Sequence, residues 1–469
     1  MLCVQHGWEL SSLDVSVAFL KGYTFKELAD RGIKRPPVAF VPPKEAWELL
    51  KEIDPANFSK VFGGSTDEWV FCLEKAAYGL RDAPLMWHLR AISVLKANHY
   101  HAYKHDSCSF YLLDANKNLK CFLTLHVDDL LATAELSTLK ELQDVLSKEF
   151  GPLTLDLTKF KHFGVDLEKF PDGHIEASQK RYLSDLKDVA MPKRSCKTDK
   201  IPKEMITDYR ATVSAMAWLG VTSPHALVSA SLLQGCLPEP TFDDVHKLNT
   251  NLQQLRETYQ PLQYRKINGP LRLVMIGDSS FANSDKYSQG GYILFLTAAD
   301  DNSLCNAFMI LDFKSNKSKR VATSTMHAEA LAKLFGLEGA LFVQSYLAEI
   351  AAPQTSTLDL LEPEKLPELI ELVSATDCED LYAVLTAPAQ PSTGNKHLGL
   401  YIAALREFKE VGRIRAWIWL DTRDCLANIL TKLMPNGEVM QDGFDLILKK
   451  FVWQPQHPYK WNGQYCTDM

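Results

Sequence analysis

The sequence of 469 residues lacks the features that mark membrane, secreted and zinc-binding proteins. No run reaches the roughly 18 consecutive apolar residues that a membrane-spanning helix needs. The N-terminal segment MLCVQHGWELSSLD has neither a basic start nor an apolar signal core, so secretion is not expected. The 10 cysteines are scattered, with no CxxC pair and no histidine at zinc-finger spacing. Reduced thiols in a cytosolic or nuclear protein are therefore expected, rather than disulfides or a zinc site.

The composition that remains is typical of several folded domains in one chain. Apolar residues make up 46% and charged residues 23% of the sequence, as in ordinary globular proteins, and the length indicates two to four domains. The net charge of −7 argues mildly against nucleic-acid binding over the whole surface. Residues 179–203 nevertheless carry eight Lys and Arg against three Asp. Such a stretch fits phosphate contacts, and it fits an ordinary solvated face as well.

Hydrophobic patterns predict alternating strands and helices along most of the chain. In the first part they indicate a strand in SLDVSVAFL, a turn and helix in LEKAAYGLRDAPLMWHLRAISVL, and a hairpin series in SCSFYLLDANKNLKCFLTLHVDDLLATA. A helix over 137–150 and a hairpin in HFGVDLEKFPDGHIEAS follow, and 179–259 is helical. The last part predicts strands in RLVMIGD, GGYILFLT, NAFMILDF and RAWIWLDT, with long helices between them. This order predicts a mixed sheet flanked by helices.

The first group of candidate catalytic residues consists of Asp14, Asp128 and Asp129. Adjacent acids at a hairpin corner are usually a solvated turn, but apolar residues flank this corner closely, in FLTLHVDDLLATA. Like charges beside a buried strand are costly unless a cation neutralises them. Mg²⁺ prefers carboxylate oxygens, and two such ions hold an attacking hydroxyl and a leaving group in line. The corner thus fits the requirement for nucleotidyl transfer, and it fits a solvated turn as well.

A second group consists of Asp278 at the end of RLVMIGD, Glu329 in VATSTMHAEALAK and Asp377 at the end of ELVSATD. Each acid alone is typical of an ordinary strand end or helix. Together, an acid on a first strand, a Glu on the following helix and an acid on a later strand form the ligand set of a ribonuclease H fold. There, two magnesium ions activate water and stabilise the leaving 3′-oxygen.

The first half of the chain resembles the palm of copia-type reverse transcriptases. Three blocks, LDVSVAFLKG, LEKAAYGLRDAPLMWH and LHVDDLL, occur in the order of the three core palm motifs of that family. The resemblance implies that Asp14, Asp128 and Asp129 bind the catalytic metals. It also implies that Phe19 excludes a ribose 2′-hydroxyl, and that Tyr78 and Gly79 line the nucleotide pocket. HFGVDLE with ASQKRYLSDL is similar to the family's passage from palm to thumb, which would let the basic stretch hold a duplex.

The second half resembles the ribonuclease H region of the same family. IGDSSFAN, GGYILFL, VATSTMHAEA, KHLGLYIAALREF and DTRDCLANILTKLMP are its matching blocks, and the resemblance makes Asp278, Glu329 and Asp377 metal ligands. A fourth ligand of the family is an Asp, and Asn428 stands at that position. Asparagine still offers a carbonyl oxygen but no charge. Asp424 would share a face with Asn428 if the segment is an α-helix, and would then replace the missing charge.

These observations predict an α+β protein: a truncated reverse transcriptase palm with an antiparallel sheet and helices, a thumb, and an α/β ribonuclease H-like domain with a mixed sheet. The expected boundaries are 1–175 for the palm, 176–265 for the helical thumb or connection, 266–435 for the ribonuclease H-like domain and 436–469 for a tail. The tail is rich in aromatic residues and is expected to pack against the ribonuclease H sheet. The expected cofactor is Mg²⁺, two ions in each active site. The expected partners are an RNA template, a DNA primer, an RNA–DNA hybrid, deoxynucleoside triphosphates and other proteins encoded by the element, without a membrane.

Two departures from the family bear on activity. Asp82 replaces a glutamine of the second palm motif and adds negative charge near the triphosphate, unless Arg81 compensates. Only thirteen residues precede Asp14, so a palm without fingers, and therefore with poorer substrate positioning, is expected. Three functions remain open: an RNA-directed DNA polymerase with ribonuclease H, a decayed or repurposed fragment that keeps the fold and binds nucleic acid, or a working ribonuclease H attached to an inactive palm. Each is expected in the cytoplasm, within a virus-like particle, or in the nucleus.

Overall fold

The computed structural model describes residues 1–62, 69–284, 287–299, 304, 306–362, 370–389, 394–434, 448 and 451–466. These residues form two units, one over Glu9–Leu157 and one made of Met1–Trp8 with Thr158–Met469. We call them the first and the second unit. The predicted α+β class is confirmed, since antiparallel and mixed sheets occur together with helices. No helix in the described residues is both long enough and apolar enough to cross a membrane.

The first unit is built on a six-stranded antiparallel sheet in the order β4-β5-β6-β7-β1-β8, with a separate pair β2-β3. Its strands are β1 (Glu9–Asp14), β2 (Ala39–Phe40), β3 (Phe71–Cys72), β4 (His101–Ala102), β5 (Ser109–Leu113), β6 (Leu119–His126), β7 (Asp129–Ala134) and β8 (Leu155–Leu157). Its helices are α2 (Phe25–Asp30), α3 (Lys44–Ile53), α4 (Pro55–Phe62), α5 (Ala83–Ala97) and α6 (Leu136–Phe150).

Two helices cover this sheet because their apolar residues recur at helical spacing. In α6, Leu139, Leu142 and Leu146 are buried three or four residues apart, which places them on one face. They share a core with Trp87 and Val94 of α5 and with buried residues of the strands. The predicted helix over 137–150 and the predicted hairpin series are thus confirmed.

The strand predicted for SLDVSVAFL is wrong in its second half. Strand β1 ends at Asp14, and residues Ala18–Lys21 form a 3₁₀ helix. Val17 lies between them with φ at 53°, in the left-handed region, which a β-branched residue rarely adopts. The backbone cannot stay extended through a residue with this φ, so the strand ends. The alternation of apolar residues nevertheless continues in the sequence beyond Asp14.

The second unit contains a four-stranded sheet in the order β12-β11-β10-β9 and a helical segment. The bounds are α1 (Leu2–His6), β9 (Lys159–His162), β10 (Val165–Lys169), β11 (Ile175–Ser178), α7 (Lys180–Asp185), α8 (Lys203–Leu219), α9 (Pro224–Gln234), α10 (Phe242–Thr258) and β12 (Leu262–Tyr264). The hairpin predicted around Asp172 and Gly173 is confirmed as β10-β11. The helices share a core of their own, in which Tyr209, Met216 and Leu248 are fully buried.

The rest of the second unit is an eight-stranded sheet with helices on it. Its elements are β13 (Leu271–Ser284), β14 (Tyr287–Ala298), β15 (Asn306–Lys317), α11 (Thr325–Ala351), α12 (Thr357–Leu361), β16 (Glu371–Thr376), α13 (Glu379–Thr386), α14 (Lys396–Glu410), β17 (Ala416–Trp419), β18 (Val452–Trp453), β19 (Tyr459–Trp461) and β20 (Gln464–Cys466). The order is β18-β15-β14-β13-β16-β17-β19-β20. Strands β13, β14 and β15 pair antiparallel, whereas β16 pairs parallel with β13 and with β17. The predicted mixed sheet is confirmed.

The described part of the tail, 451–466, packs on both edges of this sheet. Strand β18 pairs with β15 at one edge, and β19 pairs with β17 at the other. Trp453, Tyr459 and Trp461 are buried in the core of the sheet. The tail thereby covers backbone groups that an edge strand otherwise leaves unpaired.

Helix α11 packs closely on β13 and β14 because small residues allow it. A Cβ atom added to Gly336 would lie 2.9 Å from the Met275 sulfur and 3.0 Å from the Cβ of Tyr292. This approach fixes the helix over the strand that carries Asp278. The predicted domain boundaries at 175, 265 and 435 stay a prediction. The first unit ends at Leu157, and Pro435 lies outside the described residues.

Candidate active site

Three acids meet at one end of the second unit's sheet. Strands β13 and β16 are parallel neighbours in which Ile276 lies beside Ala375. Asp278 and Asp377 each follow that pair by two residues, so the register alone brings them side by side. Glu329 reaches them from the beginning of α11, which starts at Thr325 and packs on β13.

The ligand oxygens of Asp278, Glu329 and Asp377 all lie within 4.8 Å of one another. In the described residues, this is the one group of three or more acids, histidines or cysteines that lie close enough to share a metal ion. Asp278 and Glu329 are each only 4% exposed. We call this group the carboxylate cluster. The structure therefore brings together three of the residues that the sequence selects, and their catalytic role stays a prediction.

The cluster is electrostatically unfavourable as a set of bare anions. Burial, followed by the charges of Asp278 and Asp377, raises the pKa of the Glu329 carboxyl well above its usual value. Burial, followed by the charge of Asp278, raises the pKa of Asp377 to about 6. Both shifts have the cause expected for carboxylates that lack a neutralising cation.

The residues present fit a divalent cation. Glu329 Oε1 accepts a hydrogen bond of 3.1 Å from the Ser279 backbone N–H, whereas the buried Glu329 Oε2 has no hydrogen-bond partner among the described residues. A buried carboxylate oxygen without a donor is costly. A hard cation such as Mg²⁺ takes oxygen ligands of this kind, and it would remove that cost and the mutual repulsion together.

The segment after β17 supports the cluster in a way that the sequence did not reveal. The Thr431 hydroxyl donates a 2.5 Å hydrogen bond to Asp278 Oδ2, and the backbone carbonyl of Asn428 lies 3.1 Å from the same hydroxyl. Thr431 is fully buried. Its signal in the sequence was only its place in the block ILTK, because a contact across 153 positions leaves no local pattern.

Asn428 is buried and uses both ends of its amide group. Its Nδ2 donates 2.7 Å to the Thr422 carbonyl, and its Oδ1 accepts from Lys432 Nζ at 3.3 Å. The amide oxygen thus faces a cation of the protein. Its predicted place among the metal ligands stays a prediction.

The compensation considered for Asp424 is wrong. The segment forms two short 3₁₀ helices, Thr422–Asp424 and Leu426–Leu430, rather than one α-helix, so Asp424 and Asn428 do not share a helix face. The Asp424 carboxylate instead accepts hydrogen bonds from the backbone N–H groups of Gln456 and His457, at 3.0 and 2.9 Å. It anchors the tail.

In the first unit, Asp14 lies directly opposite Asp129 in the β1-β7 pair. Asp128 occupies the two-residue turn between β6 and β7, and its carbonyl accepts from the Val15 N–H at 3.0 Å. Burial, then Asp128 and Asp129, raise the pKa of Asp14. Among the described residues, the three carboxylates do not form a group as tight as the carboxylate cluster.

The turn that carries Asp128 is strained. Val127 has φ at 54°, a costly conformation for a β-branched residue. Trp87, which is 1% exposed, donates from its indole N–H to the Val127 carbonyl. A buried side chain thus holds the turn in place, and strain of this kind concentrates at functional sites.

The predicted nucleotide-pocket residues lie near one another. The rings of Phe19 and Tyr78 have centroids 4.9 Å apart, and Tyr78 is 58% exposed. Gly79 has φ at 91°, which favours glycine. Asp82 forms an ion pair with Arg35 at 3.2 Å. Its charge is therefore balanced by an arginine far away in the sequence, in addition to any effect of the neighbouring Arg81.

Part of the basic stretch is already paired with acids. Lys197 lies 3.8 Å from Asp243, and Lys200 lies 2.7 Å from Glu239. These exposed ion pairs contribute little stability, but they reduce the positive charge that is available for phosphates. The structure therefore favours a partly neutralised surface here, while a role in holding a duplex stays a prediction.

Comparisons with known proteins cover nearly the whole chain. Residues 52–204 match the family "Reverse transcriptase (RNA-dependent DNA polymerase)". The "Retrovirus-related Pol polyprotein from transposon RE2" of Arabidopsis thaliana is 25% identical over 451 residues, which are 92% of this chain and 27% of that protein. The corresponding RE1 polyprotein is 25% identical over 449 residues, with the same shares. This chain thus spans about a quarter of the length of these relatives.

A solved structure was also found with low similarity. It is the RNase H1 of the halophilic archaeon Halobacterium salinarum NRC-1, which is 15% identical to this chain. The match covers 34% of this chain and 94% of the RNase H1 chain, with a TM-score of 0.21.

The comparisons confirm the predicted kinship. The chain is similar to Pol polyproteins of retrotransposons, and its residues 52–204 match a reverse transcriptase family. The family match includes Tyr78, Gly79, Asp128 and Asp129, while Asp14 lies before its first residue.

Proposed function

We propose that this chain is a part of a retrotransposon Pol protein whose second unit cleaves the RNA strand of an RNA–DNA hybrid. The observation that carries the proposal is the convergence of Asp278, Glu329 and Asp377 within 4.8 Å. The order of elements supports it: an acid on the first strand of the mixed sheet, one on the following helix and one after the next parallel strand. This is the ligand arrangement that the ribonuclease H resemblance implies.

The protein's own residues hold the cluster ready for a divalent ion such as Mg²⁺. Thr431 orients Asp278 through its hydroxyl, and the Ser279 N–H holds one oxygen of Glu329. The second oxygen of Glu329 accepts no hydrogen bond from the part of the chain that the structure describes, and it would bind the metal together with Asp278 and Asp377. Bound divalent ions supply an activated water and stabilise the charge that develops on the leaving 3′-oxygen.

The test is cleavage of a labelled RNA–DNA hybrid by the full chain in Mg²⁺. We expect weak cleavage, because Asn428 brings no charge to the position of the fourth ligand. Asp278→Asn and Glu329→Gln should each abolish it. Glu338→Gln is the matched control, since Glu338 lies exposed on the same helix α11. Cleavage that persists in both cluster variants would contradict the proposal.

The alternative, a decayed fragment that binds hybrid without chemistry, has its own signature. Wild-type protein would then retain hybrid in a mobility-shift assay, and no cleavage would appear in Mg²⁺ or Mn²⁺. Asp278→Asn and Glu329→Gln would then leave the hybrid uncleaved, as the wild type does.

Polymerisation is the other activity that the family resemblance implies, and the contact of Phe19 with Tyr78 and the pairing of Asp14 with Asp129 are the observations that bear on it. We propose that the chain does not extend primers, because its palm carboxylates do not converge as the cluster does. Mg²⁺-dependent extension of a DNA primer on an RNA template, abolished by Asp128→Ala, would overturn this. We further propose that the chain acts in the cytoplasm or the nucleus, together with other proteins that the element encodes.

A further inference from the structure

A lysine lies buried beside the carboxylate cluster. Lys333 is 0% exposed and follows Glu329 by four residues in α11, so both side chains lie on one face of the helix. Its ammonium donates a hydrogen bond to the carbonyl of Ala375, two residues before Asp377. The lysine is thus fixed between the two elements that carry Glu329 and Asp377.

This cation acts on the cluster through space rather than through one partner. In the described part of the chain, the Lys333 ammonium forms no ion pair with a cluster carboxylate, and its hydrogen bond goes to a neutral carbonyl. Burial lowers its pKa to about 8, and Glu329 and Asp377 oppose part of that effect. The ammonium lies in surroundings where a charge is weakly screened.

The charge balance follows from these groups. The three carboxylates must be ionised to bind a metal, and they then contribute a charge of −3. The ammonium contributes +1 and Asn428 contributes none, which leaves −2. One divalent cation neutralises that charge, whereas two would leave a net +2 in a buried site. Since the charge of the ligand set tunes the affinity of divalent ions, the second ion would be held weakly.

We propose that Lys333 is a built-in counter-charge that limits the carboxylate cluster to one tightly bound divalent cation. The inference rests on the proposed function only in taking the cluster as a metal site. It assigns a role to a residue that binds neither metal nor substrate, and it makes Lys333 a determinant of how many ions the site holds.

The test is a titration of the full chain with Mn²⁺ alone, without nucleic acid, with free Mn²⁺ followed by electron paramagnetic resonance. Ions that belong to the cluster are those lost on Glu329→Gln in the same background. We expect one such ion in the wild type and two in Lys333→Met, with the first bound about tenfold more tightly in the variant. Lys333→Gln keeps a donor for the Ala375 carbonyl and should behave like Lys333→Met, which guards against a folding defect. Lys314→Met removes an exposed lysine of β15 and serves as the matched control.

The outcomes separate the two proposals. An unchanged number and affinity of cluster ions in both Lys333 variants would overturn the counter-charge. If Glu329→Gln removes no ion from any background, the cluster is not a metal site, and both proposals are wrong. If the number of ions rises while the hybrid stays intact, the counter-charge stands and the proposed cleavage is wrong.

Discussion

Replacing Asp377 with asparagine should stabilise the metal-free protein at pH 8 but much less at pH 5. Burial and the charge of Asp278 raise the pKa of Asp377 from 3.8 to about 6. A group whose pKa is raised on folding stabilises the folded protein below its unfolded pKa. That contribution is lost as the pH rises through the folded pKa. The wild type therefore loses stability through this window, and the variant does not lose the share that comes from this carboxyl.

The magnitude follows from the size of the change in pKa. A rise of about two corresponds to about 3 kcal/mol between fully protonated and fully ionised Asp377. Between pH 5 and pH 8, only the upper part of that titration occurs. The difference in unfolding free energy between Asp377→Asn and the wild type should therefore grow by about 1 to 2 kcal/mol over this interval.

Urea unfolding of the full chain in EDTA, at pH 5 and at pH 8, measures this difference. Asp208→Asn is the control, because Asp208 lies exposed on α8 and its removal changes the net charge equally. Saturating Mg²⁺ at pH 8 should make the wild type more stable than the variant. Mg²⁺ binding stabilises the folded wild type, whereas the variant lacks the Asp377 carboxylate that would bind the ion. A difference between variant and wild type that is equal at both pH values would refute the electrostatic account of the cluster.

Three further predictions concern the frame around the cluster. Gly291→Ala should lower the unfolding free energy by about 1 to 3 kcal/mol, because the new Cβ would lie 2.5 Å from the Cβ of Leu430. Gly394→Ala, whose new Cβ would meet none of the described residues within 4 Å, should be nearly neutral in the same urea assay. Asn428→Asp should raise both Mn²⁺ affinity and hybrid cleavage and lower metal-free stability, because a buried amide donor is exchanged for a charge; unchanged cleavage would contradict its place as fourth ligand. Truncation before Val452 should cause concentration-dependent self-association, visible in light scattering, because both edges of the sheet lose their cover; a monodisperse truncated chain would count against that role of the tail.

Local patterns in the sequence were enough for most elements of the fold. The spacing of Leu139, Leu142 and Leu146 predicted α6, and the Asp-Gly turn at 172–173 predicted the β10-β11 hairpin. Such elements depend on neighbours within a few positions, so their signal is local. The pattern misled where a backbone conformation intervened, as at Val17, since alternation of apolar residues does not report φ.

The candidate site divides in the same way. The sequence by itself selected Asp278, Glu329 and Asp377 and predicted the strands and the helix that carry them, because acids at the ends of apolar runs are visible in one dimension. Only the tertiary structure decided that their oxygens meet within 4.8 Å, that Thr431 bonds to Asp278, and that Lys333 lies buried beside them. The physical reason is that these contacts depend on the register of β13 with β16 and on the position of α11 against the sheet. Long-range packing determines both, and no local periodicity in the sequence encodes them.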